Sequence, residues 1–224
     1  ECPDPDRLSL PGMANALGGL MRALSFSPEI VVGHSAGAAI AVRMALDGLI
    51  APRAIVSLNG ALLPWRGMPG KVFSPLARVL ASTSIAPRFV AWRASEPGAV
   101  ERLLHSTGSH IDSVGREWYR RFVRSPRHVA SVLAMMARWD LDALAHDLPS
   151  LQAPLWLVVG DHDGTVSPAD ASRVRARLLG PEPVHLAGLG HLAHEESPRR
   201  VKEVIVRVGR STGLLAPEPE GVAA

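Results

Sequence analysis

Apolar residues fall into two rhythms that alternate along most of this chain. From Leu10 to Leu24, the residues Met13, Leu17, Leu20, Met21 and Leu24 keep helical spacing in spite of Gly18 and Gly19. They predict an amphipathic helix, which Pro28 closes off. The next run is short and β-branched, Ile30-Val31-Val32, and it leads through Gly33-His34-Ser35-Ala36-Gly37 into an Ala-rich helical stretch from Ala38 to Leu49. Pro52-Arg53 introduces a second strand, Ala54 to Leu58, closing at Asn59-Gly60, and Pro154 announces a third over Leu155 to Val159. A helix follows from Pro168 to Leu179, then a shorter strand at Val184-His185-Leu186. The last helix runs from Ser197 to Gly209, with Val201, Val204, Ile205 and Val208 on one face. Strand alternating with helix predicts an α/β fold: a parallel sheet covered by helices on both faces.

Residues 60–149 break that alternation. They carry no strand signal, and helical patterns recur at 74–82, 88–94, 97–105, 114–124, 127–139 and 141–148. Pro75, Pro87, Pro97 and Pro126 stand at or near the starts of these patterns, where proline is tolerated. Four of the five Trp and the only Tyr fall in this stretch, at Trp65, Trp92, Trp118, Trp139 and Tyr119, with Met68, Met135 and Met136. The pattern predicts a core formed by residues 1–59 and 150–212, with 60–149 inserted as a helical cap whose aromatics pack together and line a pocket. The Pro- and Gly-punctuated tail, 213–224, is expected to be disordered.

Composition narrows the function classes. The chain is 47% apolar, but no uninterrupted apolar stretch approaches the ~18 residues of a membrane span, so no integral membrane segment is expected. Cys2 is the only cysteine, which excludes an internal disulfide framework and any multi-cysteine metal site. Of the 24 basic residues only Lys71 and Lys202 are lysine, and the net charge is +3. The arginines are scattered, which argues against a nucleic-acid footprint. The first residue is Glu1 and no signal-peptide pattern follows, so a fragment or processed product of a cytoplasmic protein is expected.

The chemistry gathers at Gly33-His34-Ser35-Ala36-Gly37. A G-x-S-x-G between a strand and a helix is the context of a nucleophile elbow, which holds its serine in a strained backbone conformation. Very small neighbours are needed there, and Gly33 and Gly37 meet that need. The helix N-terminus then faces the site, with the Ala36 amide as an oxyanion donor. A serine nucleophile needs a base and an acid to orient it. His191, after Gly188-Leu189-Gly190 and just past the fourth strand, fits the base. Asp161 and Asp163 both follow the third strand, and the spacing from Gly160 favours Asp163. Ser35, Asp163 and His191 also keep the chain order Ser…Asp…His of an α/β-hydrolase, and Ser35 is expected within hydrogen-bond reach of His191. His105, His110, His128 and His146 make no metal signature, and no metal or cofactor is expected. His162 and His185 read as structural, and His194 as opening the last helix with Glu195 and Glu196.

The match extends beyond these motifs. GHSAGAAIAVRMALDGLIAPRAIVSLNGALLP, FSPLARVLA, RSPRHVASVLAMMARWDL and DLPSLQAPLWLVVGDHD resemble the α/β-hydrolases that accompany magnesium chelatase in bacteriochlorophyll biosynthesis. Ala36-Gly37-Ala38 stands where many relatives have Met-Gly-Gly. The resemblance covers residues 8 to 210 and implies an α/β-hydrolase fold in which several strands and an oxyanion loop precede the elbow strand. This sequence lacks them, which implies a missing second oxyanion donor and an unpaired edge at the elbow strand. Losing one such donor costs about 10²–10³ in rate in a well-studied enzyme.

Two functions are compatible with these residues. In the first, the chain is a serine hydrolase in which Ser35 attacks an ester-like carbonyl, with His191, Asp163 and Ala36 in the roles above. His34 packs at the elbow and, with Trp65, Trp92 and Trp139, surrounds a small apolar or tetrapyrrole substrate. In the second, the chain is a non-catalytic accessory protein that binds a tetrapyrrole or magnesium chelatase. An intact Ser-His-Asp set favours the first.

Overall fold

The computed structural model describes residues 5–64, 92, 96, 98–178 and 180–217. Four strands, β1 (Ile30–His34), β2 (Ala54–Leu58), β3 (Leu155–Gly160) and β4 (Val184–Leu186), form one sheet in chain order, every pair parallel. Ile30 pairs with Ala54, Ile55 with Leu155 and Val158 with Val184. This register brings the carboxyl ends of all four strands to one edge, where the loops after β1, β3 and β4 carry Ser35, Asp163 and His191.

The helices are α1 (Leu10–Ala23), α2 (Ala36–Leu46), α3 (Ala99–Ser106), α4 (Ser113–Val123), α5 (Pro126–Met136), α6 (Leu141–Asp147), α7 (Ala169–Arg175), α8 (Ala193–Glu196) and α9 (Pro198–Ser211). Several begin with a side-chain cap. Ser9, Asp112, Ser125 and Asp140 accept from the amides of Gly12, Gly115, His128 and Ala143, each satisfying a first-turn donor the helix itself leaves open.

Two apolar clusters cover the sheet, and alternation along the strands decides which residue joins which. Ile55, Leu155, Leu157 and Val159 pack with α1, α2, α6 and α7, through Leu10, Ala14, Ala38 to Val42, Met44, Leu144 and Val174. Their strand neighbours Ala54, Val56, Leu58 and Val158 pack on the other side with Val201, Val204 and Val208 of α9. Such two-sided burial is why β2 and β3 read as near-continuous apolar runs. β1 stands at the edge of the described sheet, and Val32 is 41% exposed.

The structure shifts several boundaries. α6 lies inside 60–149, yet Leu144, Ala145 and Leu148 are buried with α2 and β3, and Arg43 of α2 bonds Asp147 at 2.6 Å. The core layer therefore resumes at Leu141 rather than at 150. The last helical region is two helices, because Ser197 leaves helical geometry before Pro198 starts α9. Glu195 and Glu196 thus end α8 instead of opening the last helix. Gly213 to Leu215, expected in a disordered tail, are tied back to α9: Gly213 N–H donates to Arg210 O, and Leu214 and Leu215 N–H donate to Gly209 O. Residues 218–224 and the helical pattern at 74–82 lie outside the described residues, as does all of 88–94 except Trp92. No described helix is long and apolar enough to cross a membrane.

Candidate active site

Ser35 sits between β1 and α2 at φ 50°, ψ −115°, a conformation that costs a non-glycine residue energy and persists only where its surroundings impose it. The surroundings are visible. Ser35 N–H donates to Leu58 O at the end of β2, and its carbonyl accepts from Ala38 and Ala61 N–H. A Cβ on Gly33 would lie 2.6 Å from the Ala38 backbone, so the turn closes only over glycine. Gly37 differs from expectation, because a Cβ there would meet nothing within 4 Å. The Ala36 N–H is one of the first-turn donors that α2 leaves without an intrahelical acceptor.

The loops after β3 and β4 meet at a buried pair. His191 Nδ1–H donates to Asp163 Oδ2 at 2.8 Å, and the two residues are 6% and 8% exposed. Asp163 Oδ1 accepts from the amides of Thr165 and Val166 at 2.7 and 2.9 Å, which fixes the carboxylate. Asp161 instead meets His185 Nδ1 at 2.8 Å near the surface. Asp163 is therefore the carboxylate that reaches His191. With Nδ1 committed to Asp163, Nε2 is the one ring nitrogen of His191 that remains. Contrary to expectation, no hydrogen bond among the described residues joins it to the Ser35 hydroxyl.

His34 completes a histidine cluster. Its ring centroid lies 4.8 Å from that of His191 and 4.3 Å from that of His194. His34 Nε2 is 2.8 Å from the His191 carbonyl. A carbonyl only accepts, so this nitrogen carries the proton. Burial pushes the His34 pKa down from 6.5 to about 4, against the opposing pull of that hydrogen bond, with His194 and His191 adding to the fall. Burial also lowers the pKa of His194.

Unfolded His34 takes up a proton near 6.5, and folded His34 only near 4. Between those values the unfolded state binds more protons, so stability is lost as pH falls through that window, by about 3 kcal/mol. Urea unfolding at pH 7 and pH 4.5 should show a smaller drop for His34→Gln than for the native chain. Equal drops would assign the acid sensitivity elsewhere.

Residues to which the sequence assigned no part in the site hold the two loops together. The Thr107 carbonyl, just after α3, accepts N–H bonds from both Gly164 and His191, each at 3.1 Å. Ser109 Oγ accepts from Leu192 N–H. Glu196 accepts from the amides of Gly190 and His110, and Glu195 accepts from the Tyr119 hydroxyl; burial, then that bond, push the Tyr119 pKa well up. Glycines let three backbones interlock. A Cβ on Gly108 would lie 1.8 Å from His162 O, on Gly164 2.4 Å from Ser106 O, and on Gly190 2.3 Å from Gly108 C. The sequence offered only Gly188-Leu189-Gly190 as a turn signal; the partner segment lies some eighty residues away.

The tryptophans expected around the substrate are described only in part. Trp65 lies outside the described residues, Trp92 is 62% exposed, and Trp139 packs half-buried against the α2 cluster with its Nε1 unpartnered. A surface cleft of about 330 Å³ lies on α4, lined by Ser113, Val114, Glu117, Trp118 and Arg121, and includes none of Ser35, Asp163 and His191. Among the described residues no group of histidine, cysteine and acidic side chains could hold a metal ion.

The sequence model of the alpha/beta hydrolase family matches residues 2–204, over the sheet and the three loops just described. The chain belongs to the alpha/beta hydrolase family. The chain is 38% identical over 190 residues to the magnesium-chelatase 30 kDa subunit of Rhodobacter capsulatus, a match covering 85% of this chain and 66% of that relative's length. Among solved alpha/beta hydrolases, a thermophilic esterase from Thermogutta terrifontis superposes with a TM-score of 0.67 at 22% identity, over 91% of this chain and 73% of that one. An alpha/beta hydrolase fold protein from Burkholderia ambifaria gives 0.66 at 17% identity, over 89% and 73%. These two likenesses speak to the fold alone.

Proposed function

We propose that this chain is a serine hydrolase of esterase type serving magnesium chelation in bacteriochlorophyll synthesis. The observation that carries the catalytic half is the buried His191–Asp163 bond, formed at the same sheet edge as a strained Ser35. Ser35 Oγ attacks an ester-like carbonyl while His191 Nε2 takes its proton. Asp163 holds the ring and offsets the imidazolium charge, and the Ala36 amide receives the oxyanion. His191 then returns the proton to the leaving alcohol, and water repeats the sequence to release the acid. The resemblance to the R. capsulatus magnesium-chelatase subunit supports the pathway half, with a tetrapyrrole ester or similar apolar molecule as substrate and the chelatase as partner.

A fluorophosphonate probe tests the catalytic half and should label Ser35 in the full-length protein. Absence of label, with p-nitrophenyl esters also untouched, would leave a non-catalytic accessory protein on a hydrolase fold. Deleting the gene in a phototroph tests the pathway half: bacteriochlorophyll should fall and porphyrins preceding magnesium insertion should accumulate. Normal pigment in the deletion strain would overturn it.

A further inference from the structure

Asn59 follows β2 and takes no part in the chemistry above, yet it is 2% exposed and stands at φ 45°, a left-handed conformation that asparagine tolerates better than most side chains. Both ends of its amide are used. Oδ1 accepts from Gly160 N–H at 2.7 Å, while Nδ2 donates to the carbonyls of Gly190 at 3.0 Å and His191 at 2.7 Å. The partners fix the amide's orientation, since an N–H only donates and a carbonyl only accepts. Gly160 ends β3, three residues before Asp163, whereas Gly190 and His191 belong to the loop after β4. One buried amide therefore ties the acid's strand to the base's loop.

The His191 carbonyl receives a second donor from His34 Nε2, and the His191 N–H donates to Thr107 O. With Nδ1 on Asp163, every polar atom of His191 except Nε2 is held. We propose that Asn59 is a positioning residue which, together with His34, clamps the His191 main chain so that the ring keeps Nδ1 on Asp163 and Nε2 free. The catalytic consequence rests on the serine-hydrolase reading; the clamp itself does not. Removing the amide strands the buried Gly190 carbonyl and the buried Gly160 N–H at once and leaves the His191 carbonyl to His34 alone, and the loop shifts to find other partners.

Asn59→Asp is the sharpest test, because it keeps size, tolerance of positive φ and the acceptor for Gly160, but sets an oxygen against two carbonyl oxygens. Asn59→Gly is the second variant, removing the side chain while suiting the backbone. Two readouts separate positioning from structure: the low-field proton NMR signal of His191 Nδ1–H, assigned by its loss in His191→Gln, and the kcat and KM for p-nitrophenyl butyrate. In folded variants at pH 7 the signal should broaden or vanish, and kcat should fall about 10–100-fold with KM within about twofold. Native signal and native kcat in both variants would overturn the proposal. If the full-length protein neither hydrolyses ester nor takes the fluorophosphonate, while Asn59→Asp still loses the signal, the hydrolase reading falls and the clamp stands.

Discussion

Ser35→Ala should abolish ester hydrolysis and fluorophosphonate labelling, lowering kcat by about 10⁴–10⁶. The loss is that large because nucleophile and base act as a unit: without the hydroxyl, His191 has no proton to take, and only binding and the oxyanion donor remain. The folded state should barely notice. Alanine at φ 50°, ψ −115° bears the same backbone strain as serine, so unfolding free energies should agree within about 0.5 kcal/mol. Ser35→Gly sharpens the test, because it is equally inactive but relieves a strain worth about 1–3 kcal/mol at the cost of about 0.5–1 kcal/mol in unfolded-chain entropy. It should therefore unfold at higher urea than Ser35→Ala. If Ser35→Ala kept substantial activity, another nucleophile would be at work and the mechanism would be wrong. If Ser35→Gly were the less stable, the backbone at Ser35 would not be strained.

Gly190→Ala should be among the most destabilising single changes in this chain. Its Cβ would lie 2.3 and 2.4 Å from Gly108 C and O and 2.6 Å from Ser109 N. All three are backbone atoms that no rotamer change can move aside. Relief requires the His191 loop and the 107–109 segment to separate, breaking the Thr107–His191 and Ser109–Leu192 bonds. The expected cost is about 3 kcal/mol or more, seen as a lower urea midpoint or insoluble expression, with activity lost in whatever folds. Gly37→Ala is the matched control, since its Cβ would enter open space inside α2. It should be neutral or stabilising by up to about 1 kcal/mol through better helix propensity. Similar costs at both positions would refute the interlocked-loop account.

The extent to which this could be read from residues alone differs between fold and site. The first three strands carried apolar runs with β-branched residues framed by proline and glycine, and the parallel order followed because the strands were separated by a helix or a long insertion. The elbow was legible for the same reason, since Ser35 and Gly33 are close in sequence and the steric demand on them is local. His191 and Asp163 could be named because each follows a strand directly, so strand order already placed them at one edge. What lay beyond local reasoning was contact across loops. Nothing in Ser57-Leu58-Asn59-Gly60 announces that Asn59 reaches Gly160, Gly190 and His191, because those partners lie one hundred residues or more along the chain. The Thr107 carbonyl carries no side-chain signature at all, being a backbone atom whose role depends on two other loops arriving beside it. Gly37 looked obligatory by motif and is not, whereas Gly108, Gly164 and Gly190 are constrained by neighbours distant in sequence. Element type and the identity of the candidate reacting groups are local properties, and sequence determined them. The tertiary structure alone decided which groups hold His191 in place, because that depends on three loops packing backbone to backbone where only glycine leaves room.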